Sequence, residues 1–228
     1  MPDPVNRNTA SPVDGRQPCW RWRSVLPWRP HCLGCGQPGL PDQDLCPACH
    51  GQLPWCRPPA RAGTPPLARV VSPFVYAPPL DHWLRRFKFH RDLAAGRLLA
   101  QLMLDTCANA DRPDALLPIP LHRGRLRERG YDQALELAKP IARALHAPIR
   151  GDLLCRARNT VPQSRQGNAS ERRRNLRGAF VATPAAMPAH VALIDDVMTT
   201  GATLHAAAEA LAHAGVRRID AWVCAYVP

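Results

Sequence analysis

The chain has 228 residues, enough for one full α/β core plus a small appendage, and carries a net charge of +12 with 26 prolines and 9 cysteines. It has no run of about 18 apolar residues, and Met1 to Asp14 lacks a hydrophobic signal core, so the composition points to a cytoplasmic protein with no membrane insertion. The cations are 28 Arg against 2 Lys, and +9 of the charge lies in two segments, Arg123 to Arg129 and Arg156 to Arg177. Such focused charge can gather phosphates or polyanions, the other reading being a solvated basic face.

Residues 1–18 are polar and proline-bearing and are expected to be disordered. Between Trp20 and Trp28, three Trp interleave with Arg21, Arg23 and Arg29. That composition suits packing over a small metal module better than base stacking, which it also permits. Residues 19–56 read as a zinc-ribbon region. Cys32-Leu-Gly-Cys35 is followed after ten residues by Cys46-Pro-Ala-Cys49, and each knuckle lets one tight turn present two sulfurs to a tetrahedral Zn²⁺. Four thiolates leave no position open for substrate, so the zinc is expected to be structural. Two disulfides are the alternative, disfavoured in a reducing compartment. His31 and His50 adjoin the knuckles, Cys19 and Cys56 have no partner at knuckle spacing, and Cys107, Cys155 and Cys224 read as small core residues.

Residues 57–66 are Pro-rich and read as a linker to a main domain over 67–228. There the pattern predicts a strand over Val70–Tyr76, a helix over Leu80–Phe87 and a second over Asp92–Ala108, with Leu93, Leu98, Leu99, Leu102 and Met103 on its core face. Lys88 lies between the helices, where a solvated turn is the default and a phosphate contact the alternative. A strand over Leu116–Leu121 leads to a basic loop, His122 to Gly130, whose Arg123, Arg127 and Arg129 are candidates to clamp a pyrophosphate. A helix opens near Asp132, with Ala134, Leu137, Ala138, Ile141 and Leu145 inward. A strand over Ile149–Leu154 precedes a polar stretch, Asn159 to Gly178, long and arginine-rich enough to serve as a lid.

The most informative segment comes last. Val191 to Ile194 reads as a buried strand, Asp195 and Asp196 end it, a turn follows through Val197, Met198, Thr199, Thr200, Gly201, Ala202 and Thr203, and Ala206 to Ala214 reads as a helix. Free N–H groups at the helix start and the threonine hydroxyls can face a phosphate, while Gly201 allows close approach. The two carboxylates can accept hydrogen bonds from ribose hydroxyls, so one strand end can hold both halves of a ribose phosphate and is the candidate catalytic centre. Arg217 to Val227 reads as the final strand.

This segment resembles the signature of type I phosphoribosyltransferases that binds phosphoribosyl diphosphate (PRPP). More widely, the Cys-x2-Cys ribbon, Tyr76-Ala-Pro-Pro-Leu80 leading to Phe87-Lys88-Phe89, Arg129-Gly130-Tyr131-Asp132-Gln133, Gln163 with Arg172 to Asn175, and Asp195-Asp196 together resemble the ComF/GntX family of phosphoribosyltransferase-like proteins. That family more often shows Phe-Asn where this chain has Tyr131-Asp132. The resemblance implies a type I phosphoribosyltransferase-like parallel sheet flanked by helices, PRPP binding, and for some members a role in natural competence and DNA uptake.

Two functional readings follow. One is a Mg²⁺-dependent transfer of ribosyl phosphate to an acceptor, with pyrophosphate release under a lid holding Gln163, Arg172 and Asn175. The other is a non-catalytic module that senses PRPP and engages single-stranded DNA or a competence ATPase through its basic segments.

Overall fold

The computed structural model describes residues 30–158, 176 and 178–228. The expectations for the N-terminal tail, the Trp/Arg segment, Cys19, and Gln163, Arg172 and Asn175 lie outside the described residues.

The architecture is α/β, with a mainly parallel sheet between two layers. The sheet contains β1 (Ala60–Ala62), β2 (Arg69–Val71), β3 (Phe74–Val75), β4 (Ala115–Pro118), β7 (His190–Met198) and β8 (Arg218–Tyr226), in the order β1-β2-β8-β7-β4 with β3 also on β8. All neighbours are parallel except β1, which runs antiparallel to β2. Part of the stretch expected to be a linker is thus an edge strand. A separate hairpin pairs β5 (Leu154–Arg156) with β6 (Phe180–Ala182).

The strand expected over Val70–Tyr76 is split at Ser72-Pro73. Pro73 has no N–H for the ladder, and the Ser72 hydroxyl donates to the Phe74 carbonyl at 2.9 Å. The final strand is central, not at an edge, because β8 pairs with β7 along one side and with β2 and β3 along the other.

The helices divide between the faces. Residues of α2 (Leu80–Phe89), α3 (Leu93–Ala108) and α5 (Gln133–Leu145) form one core with Ala192, Ile194, Trp222 and Cys224 of the sheet. The other face packs Val191, Leu193, Ala221 and Val223 against Leu204, Ala207, Ala208 and Leu211 of α6 (Ala202–His213) and against Phe180 of β6. Alternate residues of a strand point to opposite faces, so near-continuous apolar runs in β7 and β8 serve two cores at once.

Leu116 also bridges in parallel to Ile149 on the far side of β4. The chain therefore moves outward from β4 through α5 on one face, and inward from β7 through α6 on the other. The crevice between the carboxyl ends of β4 and β7 is the point where the winding reverses, the usual position of a ligand in such sheets.

Two residues expected in the core are not there. Leu93 opens α3 and is 57% exposed. Cys155 lies on the two-stranded hairpin and is exposed, because that hairpin buries only one face.

Candidate functional site

The carboxyl end of β7 differs from the expectation in a useful way. The strand does not stop at Ile194 but runs on to Met198, so Asp195 and Asp196 are strand residues. Being adjacent, they leave the strand on opposite faces. Asp196 is 6% exposed and lies on the α2 side, where both its oxygens meet Lys88 Nζ, at 3.2 and 3.0 Å. Asp195 lies on the hairpin side, near enough to Arg156 for their charges to interact. Its Oδ1 accepts the Asp196 N–H at 2.8 Å, and Asp196 Oδ1 accepts the Val197 N–H at 2.7 Å. Burial, reinforced by the neighbouring Asp196 charge, pushes the Asp195 carboxyl up to about 7.

The following turn closes sooner than expected. Gly201 has φ 71°, a left-handed conformation that favours glycine, and α6 starts at once with Ala202, so Thr203 belongs to its first turn. A Cβ on Gly201 would lie 2.7 Å from Met198 Cε and 3.1 Å from His205 Nδ1. No side chain caps this helix, and the buried Thr200 hydroxyl has no partner. Together these leave donors for an anion at the N-terminus of a 12-residue helix.

The basic segment after β4 is a helix rather than a loop: α4 (Arg123–Arg129) is capped by His122 Nδ1, which accepts the Gly124 N–H at 3.2 Å, and ends at Gly130 with φ 84°. Helical spacing divides its arginines. Arg125 and Arg129, four apart, are half-buried, while Arg123 and Arg127 are exposed. Arg129 donates to Gln133 Oε1 at 2.9 Å and lies 5.8 Å from the ring of Phe89, which is 63% exposed. Burial and the neighbouring charge of Arg125 bring Arg156 down to about 10. Asp132 caps α5 by accepting the Leu135 N–H at 3.2 Å, and it also accepts from Leu121 N at 3.4 Å, which ties the end of β4 to the start of α5. Burial raises its pKa.

The crevice thus gathers Asp195, Asp196 and the Thr199–Thr203 turn, with Arg129 on one wall. It also gathers Lys88, for which a phosphate contact was only the alternative expectation, and Arg125, Asp132 and Arg156, which were not among the expected site residues. The four-residue spacing of Arg125 and Arg129 marks a shared face only once the segment is known to be helical. Lys88 carried no local sign, since its partner is 108 residues away.

The cysteine cluster is a second, separate centre. The Sγ atoms of Cys32, Cys35, Cys46 and Cys49 lie within 4.8 Å of one another, and those of Cys35 and Cys46 are 3.6 Å apart. A tetrahedral zinc with bonds of about 2.3 Å spaces its sulfurs by about 3.8 Å, so the cluster could hold Zn²⁺, in keeping with a zinc ribbon. Burial opposes ionisation of Cys32, yet the backbone N–H groups around it bring its thiol down to about 6. Cys49 is pushed up to about 12 by burial and by its sulfur neighbours. His50 does not join the cluster but packs against Trp55, with ring centroids 4.9 Å apart. Cys56 also stands apart, its thiol donating to the Pro58 carbonyl at 3.1 Å. Among the described residues, no helix is long and apolar enough to cross a membrane.

Comparison with known proteins agrees with this geometry. Residues 132–228 match the phosphoribosyl transferase domain family. The chain is 32% identical over 218 residues to DNA utilization protein YhgH of Escherichia coli strain K12, covering 90% of this chain and 94% of that one. It is 36% identical over 156 residues to competence protein F of Haemophilus influenzae, covering 64% of this chain and 68% of the relative. Competence protein ComFC of Bacillus subtilis is 33% identical over 148 residues, 63% of this chain and 58% of its own. With its sheet, crevice and four-cysteine cluster, the chain belongs to the ComF-like family of phosphoribosyltransferase-like proteins.

Proposed function

We propose that the protein binds PRPP in the crevice between β4 and β7 and transfers its phosphoribosyl group to an acceptor with release of diphosphate. The observation that carries this reading is the junction of two strand-end carboxylates with an uncapped helix N-terminus across the Thr199–Thr203 turn. Asp195 and Asp196 accept hydrogen bonds from the ribose hydroxyls. The threonines and the first N–H groups of α6 hold the sugar phosphate. Of the arginines expected to hold the diphosphate, Arg129, half-buried near Lys88, is the one this reading keeps, with half-buried Arg125 as its neighbour; Arg123 and Arg127 are exposed. Mg²⁺ arriving with PRPP supplies charge neutralisation on the leaving diphosphate. A wall of fixed cations beside the ribose stabilises the same charge as it develops.

Calorimetric titration with PRPP and Mg²⁺, followed by a diphosphate-release assay with a panel of bases, tests the proposal. Binding in the wild type and its loss in Asp195→Ala/Asp196→Ala supports it. Equal binding in both proteins overturns the site, and binding without release leaves a PRPP sensor.

A second reading is favoured by the exposed Phe89 beside Arg129 and by the names of the relatives, which concern competence and DNA utilization. In it the basic wall engages single-stranded DNA. Oligonucleotide affinity should then fall steeply with salt, and a flat response rejects it.

A further inference from the structure

Lys88 is one of two lysines in the chain and lies in the last turn of α2, where a cation also complements the helix end. Its place is set from below. Phe87 is fully buried against Tyr131, with ring centroids 5.5 Å apart, and against α3 at Gly96, where an added Cβ would meet the Phe87 ring at 2.3 Å. This packing aims Lys88 across the end of the sheet at Asp196, and its side chain is still 33% exposed to the crevice.

The ammonium donates to Asp196 Oδ1 and lies 3.0 Å from Oδ2, so at least one of its three N–H groups is left for another acceptor. Arg129 lies close enough for its charge to oppose that of Lys88. Its own bond is to a neutral carbonyl, and among the described residues it pairs with no carboxylate. Next to it Gln133, 3% exposed, holds Arg129 through its Oε1 and turns its amide towards the buried Tyr131 hydroxyl. Lys88 and Arg129 thus stand side by side over Asp196, with Asp195 and Asp132 also within electrostatic reach, and two adjacent cations at the open end of the crevice suit a ligand group with several anionic oxygens.

We propose that Lys88 is a specificity-determining residue of the phosphoribosyl site: it bridges the ribose-holding Asp196 and the diphosphate on the ribose, so that the site selects a diphosphorylated sugar over ribose phosphate alone. The inference rests on the phosphoribosyl reading above. Lys88 provides the point charge, Arg129 the planar donor fork, and Gln133 fixes Arg129 through its carbonyl.

The test compares PRPP and ribose 5-phosphate, each with Mg²⁺, by calorimetry on the full zinc-loaded chain. Lys88→Met should weaken PRPP by about 100-fold, the loss of a charged hydrogen bond, and ribose 5-phosphate by no more than about threefold. Lys88→Arg should recover most of the discrimination. Equal losses for the two ligands would reduce Lys88 to a counter-ion of Asp196 and overturn the inference, as would no loss for either. Should Lys88→Met fail to fold, Lys88→Gln replaces it with the same two expectations. If the wild type binds neither ligand, the phosphoribosyl reading itself fails; if it binds both and the variants keep its ratio, only the role of Lys88 does.

Discussion

Asp44 of the cysteine region and Arg97 of α3 form an ion pair, Arg97 Nε donating to Asp44 Oδ2 at 2.7 Å with Nη2 also 2.7 Å from that oxygen, and the carboxylate side chain is 2% exposed. One turn along α3, Gln101 Oε1 accepts the Asp44 N–H at 3.1 Å. The four-cysteine knuckles are thereby fastened to the same helix layer that carries Lys88. Arg97→Met should lower stability by about 2 kcal/mol, because Asp44 stays buried without its cation. Since Arg97 is half exposed, the loss should fall short of that for a fully buried pair. Asp44→Asn/Arg97→Met should recover part of it, as read from urea unfolding midpoints.

Gly96 marks the closest approach of α2 and α3. Alanine is the better helix former by about 1 kcal/mol, but at this position its Cβ would sit 2.3 Å from the buried Phe87 ring. Gly96→Ala should therefore destabilise by about 1–3 kcal/mol, as overpacking does. Phe87→Leu in the same chain should relieve most of the cost. Denaturant unfolding of the single and double variants checks both statements.

The raised pKa of Asp195 makes stability fall with pH over a defined window. An unfolded aspartate loses its proton near pH 4, while the folded one keeps it to about 7. Between those values the folded state binds the extra proton, so stability decreases as pH rises, and above about 7 the effect is complete. Asp195→Asn should remove this slope, matching the wild type near pH 4 and exceeding its melting temperature near pH 8. Parallel melting curves at both ends would reject the assignment.

The cysteine cluster should hold one zinc per chain, and the metal should support folding of its own region. Among its described residues the buried apolar side chains are few: Leu45 and Leu53 with Cys32, Cys46 and Cys56. Chelation should lower the melting temperature, and Cys46→Ser should release the metal in a colorimetric zinc assay. Acid should release it as well, because protons compete for each thiolate.

The knuckle spacing, the buried β7 run, the Asp195-Asp196 pair and the Thr199–Thr203 turn were legible in the sequence because each is a local pattern: a turn, a strand and a helix start fixed by neighbours within a few residues. The helix starts at Asp92 and Asp132 were legible for the same reason, each carboxylate capping an N–H three residues on. Arg123–Arg129 was misread as a loop because four arginines look solvated whatever their conformation, and only the helical form sets Arg125 and Arg129 on one half-buried face. The sequence alone determined that a strand end, two carboxylates and a phosphate-sized turn would lie together. Only the tertiary structure decided that the two carboxylates face opposite cores, and that Lys88, Arg129 and Gln133 converge above one of them. Those are relations between distant segments, set by the faces on which α2 and α5 pack, and no periodicity within a single segment encodes them.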